Sequence, residues 1–236
     1  MQWLILISLC FATFSANSKV QERPLEQLLN IEIAAYQLSS AFSAYVLFSG
    51  SPRFSQKLER IIYTSSPILT NAQASYPDIA EKWQESLSFI KRNKELVFND
   101  DDNRLIIGLF TTQNQLYQRI YSNKQSIEQR SPDAALLPAL DEYLNTRVSF
   151  ERVMAQYIAN SASSAGFVHN DTSIEDNVAD FSSRIENLTN KNINSQRLNL
   201  KWKFVKNNMM KEPGKTSPFI TLHTATDIRK LLQRSL

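Results

Sequence analysis

Arg147 and Arg152 stand five positions apart in the segment Arg147-Val148-Ser149-Phe150-Glu151-Arg152-Val153-Met154-Ala155-Gln156-Tyr157. They are the side chains of this sequence best suited to hold a ligand. A guanidinium presents a rigid planar fork of donors that matches a small oxyanion, and partial burial between helices strengthens such a pair. Both are therefore candidate ligand-binding residues, with a small anion as the ligand. The plainer alternative is that Arg147 pairs with Glu142 or Glu151 along its own helix, or faces water. Phe150, Met154 and Tyr157, interleaved with the arginines, suit a core better than a pocket.

The remaining inventory argues against catalysis, and no catalytic residue is assigned. The histidines are His169 and His223. His169 with Asp171 and Ser173 has the residue types of a hydrolase fragment, but no nucleophile elbow or oxyanion glycine accompanies them. Asp141, Glu142 and Glu151 lack the histidine three positions on that a di-iron bundle requires. The acidic run Asn99-Asp100-Asp101-Asp102-Asn103 lacks the spacing and closing glutamate of an EF-hand, and reads as a helix cap. Cys10 is the one cysteine, so thiolate metal sites are excluded, and no metal or cofactor is expected.

Charge excludes little. The net charge is +3, and the basic residues Lys201, Lys203, Lys206, Lys211, Lys215, Arg229, Lys230 and Arg234 make the C-terminal half the more cationic. A nucleic-acid reader would carry a denser basic stripe with interleaved aromatics, so no nucleic-acid partner is expected. The triplets Asn170-Asp171-Thr172 and Asn187-Leu188-Thr189 match the N-glycosylation pattern, which has meaning only in a eukaryotic secretory setting.

Residues 1–18 carry the apolar runs Trp3-Leu4-Ile5-Leu6-Ile7 and Leu9-Cys10-Phe11-Ala12 with no Lys or Arg before Lys19. That length suits a cleaved export signal better than a membrane span. The expectation is a periplasmic or secreted mature protein, with an uncleaved N-terminal anchor as the alternative. Its removal takes Cys10, so the mature chain must hold together by apolar burial, which a 42% hydrophobic content permits.

Glycine is scarce, at 4 of 236 residues, and apolar residues recur at three- and four-residue spacing, so the fold class is all-α. Helices are expected over residues 24–48, 53–75, 77–96 and 104–124, then 132–162, 173–189, 192–211 and 218–236. Pro67 should kink or interrupt the second. The plan is written twice. Tyr143-Leu144-Asn145-Thr146-Arg147-Val148 follows Leu28-Leu29-Asn30-Ile31-Glu32-Ile33, Lys201-Trp202 follows Lys82-Trp83, and Leu231-Leu232-Gln233-Arg234 follows Leu116-Tyr117-Gln118-Arg119, at offsets of 115, 119 and 115. Ordered echoes of this kind are what an internal duplication leaves. The expectation is two tandem four-helix-bundle modules, 24–124 and 132–236, joined by a linker at 125–131. Their first helices, at about 1.5 Å per residue, would reach roughly 40 Å and make the bundles elongated.

The Arg147 segment resembles the Arg-Met-x-x-x-Arg-Met element on the first helix of the PilJ-type domain, the N-terminal sensor module of type IV pilus methyl-accepting chemotaxis transducers and nitrate-sensing kinases. The five-residue Arg spacing, the apolar residue after each Arg and the preceding Leu144-Asn145 carry the resemblance, with Trp83 and Trp202 on the third helices. It covers residues 25–236 as two copies. The first copy has Glu32 and Gln37 where the second has its arginines, and Val153 stands in place of the second Met. The resemblance implies a helical bundle that senses a ligand, with Arg147 contacting an anion and Arg152 as accessory.

The expected function is a soluble, exported, sensor-like ligand-binding or accessory signalling protein without an output domain. It would hand its state to a membrane-bound sensor or envelope partner. The alternative is a structural or adaptor bundle of the cell envelope with no small-molecule ligand.

Overall fold

The computed structural model describes residues 23–95, 102–130, 138–163, 172–189, 193–211 and 217–233. The expected export signal with Cys10, the acidic run before Asp102, and His169 with Asp171 lie outside the described residues. Among those described the secondary structure is eight α-helices: α1 (Pro24–Leu47), α2 (Pro52–Ser75), α3 (Pro77–Asn93), α4 (Asp102–Arg130), α5 (Pro138–Ala162), α6 (Ile174–Thr189), α7 (Ile193–Met209) and α8 (Pro218–Gln233). The all-α expectation holds. No helix of the described residues is long and apolar enough to cross a membrane.

Local chemistry sets the ends of these helices. Proline occupies the first turn of α1, α2 and α3 and opens α5 and α8, where its missing N–H costs nothing and its fixed φ suits the helix. Between α1 and α2, Ser49 and Gly50 take φ of 46° and 68°, and Gly50 N–H returns to the Tyr45 carbonyl at 2.8 Å. That left-handed step satisfies the carbonyls α1 leaves open. At the start of α6, Ser173 Oγ accepts the Asp176 N–H at 3.1 Å and Asp176 Oδ2 accepts the Ser173 N–H at 3.3 Å, a reciprocal cap.

Two sequence expectations need correction. α2 runs through Pro67 without a break. Pro67 and Tyr63 both face solvent, so the carbonyl that loses its N–H partner can be hydrated. Residues 125–130, expected as a linker, continue α4 as helix; Ile127 packs on the core and holds that last stretch in place.

Helices adjacent in the chain pack together, and α1 with α4 and α5 with α8 close each set of four. The most extensive packing of all joins α1 to α5. Consequently the two halves share one continuous core, from Leu28, Phe42 and Trp83 through Phe150 to Phe181, Trp202 and Ile228. α1 is buried almost all round between Leu28 and Val46. Its small residues Ala34, Ala35, Ser39, Ala41, Ser43 and Ala44 let neighbouring helices approach on several sides, while an amphipathic surface helix such as α3 buries one stripe. Gly108 on α4 serves the same purpose against α3: a Cβ there would stand 2.7 Å from Phe89 Cζ.

Candidate functional site

The α1–α5 seam carries a layer of charged groups inside the bundle. Glu151 on α5 is 3% exposed. Arg229 of α8 grips it with two bonds, Nε to Oε1 at 2.7 Å and Nη2 to Oε2 at 2.6 Å, and Gln37 of α1 donates to Oε1 at 2.9 Å. Glu32 on α1 is 7% exposed. It is met by Lys124 of α4 at 3.0 Å and by Arg152 of α5 at 3.5 Å. Two paired carboxylates therefore tie α1, α4, α5 and α8 together. A buried charge persists only with such partners, because its loss of hydration would otherwise cost several kcal/mol.

Arg152, a candidate ligand residue, is thus engaged within the protein. Its Nε donates to Tyr36 Oη at 3.2 Å, and its guanidinium lies 5.7 Å from the Tyr36 ring centroid. Burial works against its charge, but Tyr36 and Glu32 outweigh that and raise its pKa. Burial pushes the Tyr36 phenol up as well. Tyr36 stacks on Tyr117 at 4.5 Å, and Tyr117 Oη reaches Ser39 at 3.0 Å and Gln113 at 3.3 Å. The layer thereby continues into the first half, where the Gln113 Nε2 has no partner.

Arg147, the other candidate, turns elsewhere. Its guanidinium stands 5.7 Å from the Tyr143 ring centroid, one turn back on α5. Five residues along a helix is a rotation of about 140°, so the two arginines cannot converge on one ligand. Neither arginine lines the α2–α3, α2–α8 or α3–α4 cavities. The apolar partners Val148 and Val153 are core.

A relation within the seam matches the sequence echo. The bond from Arg152 to Tyr36 and the bond from Gln37 to Glu151 are images of one another: moving Tyr36 and Gln37 forward by 115 positions gives Glu151 and Arg152. The echoed tryptophans sit on α3 and α7, the third helix of each half. Trp202 Nε1 donates to Ser182 at 3.0 Å, whereas the wholly buried Trp83 Nε1 has no partner.

Sequence reasoning weighed Glu151 as a partner for Arg147 and as a di-iron carboxylate, and missed Arg229 as its clamp. The available signal was a carboxylate set between Phe150 and Val153 on an apolar face, which demands a cation from another helix. Ser149, on the same stretch, donates to Asp180 at 2.6 Å. Burial opposes the Asp180 carboxylate, but the bonds from Ser149 and Arg184 outweigh it and lower its pKa.

The charged groups of this layer are paired with one another, Glu151 with Arg229 and Glu32 with Lys124 and Arg152. Among the described residues there is no cluster of histidine, cysteine and carboxylate side chains fit to hold a metal ion. Comparison of the chain with protein-family models, with curated proteins and with solved structures finds no match.

Proposed function

We propose that this chain is an exported, non-catalytic binding protein of the sensory or accessory kind, which takes a small anion and passes its state to a membrane or envelope partner. The observation that carries the reading is the seam, where two neighbouring sets of buried ion pairs meet, Glu151 with Arg229 in one half and Glu32 with Lys124 and, from the other half, Arg152. Paired buried charges have few acceptable arrangements, so a shift of one helix must be answered by the others. The resemblance to PilJ-type sensor modules points the same way, since its motif lies on α5, at the centre of this layer.

Duplication belongs to the same proposal. In a two-fold interface each contact occurs twice with the partners exchanged, and the Arg152–Tyr36 and Gln37–Glu151 bonds stand in that relation. The pair is what two modules joined through their first helices would leave.

A thermal-shift screen of the mature protein against small anions and amino acids tests the reading. A compound that binds only the folded state raises the melting temperature, by about 2.7 kcal/mol of stabilisation at a hundredfold excess over Kd. At least one anion is expected to do so. A flat response across the set removes the ligand and leaves the adaptor reading. One observation favours that second reading: Leu200 and Phe204, one turn apart on α7, are 71% and 51% exposed, with Met210 at 45% beyond them. An apolar strip of that kind fits a protein partner.

A further inference from the structure

At one end of the bundle, α2 of the first half faces α8 of the second across a groove of about 320 Å³. Its cations are Arg53, Lys57 and Arg60 on α2 and His223 on α8; no carboxylate lines it. The α2 cations recur every three or four residues and so form one stripe, an arrangement of like charges that weakens a helix unless something neutralises it. The acids nearby are already taken. Glu59 holds Lys94, Asp227 holds Lys201 and Glu151 holds Arg229. Among the described residues, Arg53, Lys57 and Arg60 make no ion pair.

The floor is apolar and rigid. Phe54 is buried and stacks on Phe48 at 4.2 Å, and Phe48 meets Phe219 edge-on at 6.2 Å. The Arg53 guanidinium lies 4.9 Å from the Phe219 ring centroid, held over the aromatic face. Leu222 closes the α8 side. Lys57 is half-buried beside this floor.

We infer that the α2–α8 groove is a binding site for a phosphomonoester carried on a flat apolar group, with Lys57, Arg53 and Arg60 holding the dianion and Phe219 and Leu222 the apolar part. The inference rests on the anion-binding reading above but places the anion away from Arg147 and Arg152. Three cations without counter-charges suit a dianion better than a single carboxylate. Because the two walls come from different halves, an occupied groove would draw α2 toward α8 and load the seam through Arg229, which lies on α8 two turns beyond Leu222.

Lys57 supplies a pH signature. Burial, helped by Arg229 and Arg53 and opposed by Glu151, lowers its pKa to about 8. Arg60 on its own helix and His223 on α8 face the same groove. Arginine side chains stay charged throughout. Between pH 7 and 9 the cation that is lost is therefore Lys57.

Calorimetric titration of the full chain with phenyl phosphate and with inorganic phosphate, at low ionic strength, tests the site. The parent is expected to bind phenyl phosphate more tightly, and to lose affinity as the pH rises from 7 to 9. Lys57→Gln should bind roughly ten- to a hundredfold more weakly at pH 7 and lose the pH dependence; Arg60→Ala should weaken binding as well, and Arg147→Ala should leave it unchanged. Circular dichroism melts of each variant confirm folding. A parallel arm measures binding to vesicles containing phosphatidic acid; capture abolished by Lys57→Gln, with phenyl phosphate silent, assigns the phosphomonoester to a lipid headgroup and still supports the groove. If Arg147→Ala loses binding while Lys57→Gln and Arg60→Ala retain it, the groove is wrong and the anion-binding reading stands. If neither phosphate nor vesicles bind, the groove is wrong, and the thermal-shift screen decides the broader reading independently.

Discussion

Glu32 and Glu151 face the same seam from opposite halves, both buried, yet they are neutralised in different ways. Glu151 receives a two-point clamp from Arg229, a neighbour in its own half, and one amide from across the seam. Glu32 receives single contacts from Lys124 of its own half and from Arg152 of the other, at 3.0 and 3.5 Å. The difference teaches where the rigidity lies. A bidentate guanidinium fixes both distance and plane, whereas an ammonium fixes only a point. The second half thus holds its charge within itself, and the first half leans on the second to hold its own.

The largest effect that could break this comparison comes from cutting the two clamps separately. Arg229→Ala leaves Glu151 buried with only an amide partner and should cost about 3 to 5 kcal/mol. Lys124→Ala leaves Glu32 with Arg152 and should cost roughly 1 to 2 kcal/mol. Urea unfolding at pH 7 measures both; equal losses would show that the halves are neutralised alike.

A smaller effect of opposite sign should come from Lys57, which lies beyond the Glu151–Arg229 pair and draws little relief from it. Its pKa is about 8 against an ordinary 10.5. Below pH 8 the lysine is charged in both states and the folded protein bears the cost of its burial. Between pH 8 and 10.5 the unfolded chain keeps a proton that the folded one releases, so stability climbs with pH. Above 10.5 neither state is charged and the cost is gone. Lys57→Met should therefore stabilise the protein by roughly 1 to 3 kcal/mol at pH 7, with the gain shrinking toward pH 10.5 in melts taken across the range. A gain independent of pH would mean better packing and not relief of charge.

The smallest effect sharpens the comparison in the cores. Trp202 donates to Ser182, while Trp83 has no acceptor. Both changes to Phe remove similar volume, so their difference isolates the N–H group. Trp202→Phe should be the more costly by about 1 kcal/mol, read by chemical denaturation. A reversed order would place an unrecognised acceptor beside Trp83.

Much of the architecture was legible because periodicity is local. The apolar spacing located all eight helices, and the prolines marked where α1, α3 and α8 begin. The errors have local causes too. Pro67 was judged by its ring alone, without knowing that its face of α2 is wet. Residues 125–130 looked like a linker because they are polar, but Ile127 has a core to rest on. The candidate site was half legible. Arg147 and Arg152 were marked as ligand-binding candidates on one long helix, but their five-residue spacing puts them on different faces. What Arg152 touches depends on α1, 116 residues before it at Tyr36. The α2–α8 groove was not legible, because the cation stripe on α2 acquires its second, apolar wall only from α8 at the other end of the chain.

By itself the sequence determined the helical class, the order and rough ends of the helices, and the echo at 115 residues, since hydrophobic period, capping and repetition act over short stretches of chain. Only the tertiary structure decided that α1 and α5 form the common seam, that Glu151 meets Arg229 while Glu32 meets Lys124 and, across the seam, Arg152, and that among the described residues Arg53, Lys57 and Arg60 make no ion pair. Those outcomes depend on which helix faces which. That choice is set by small residues that allow close approach and by the need of each buried charge for a partner, and both are properties of the packed whole.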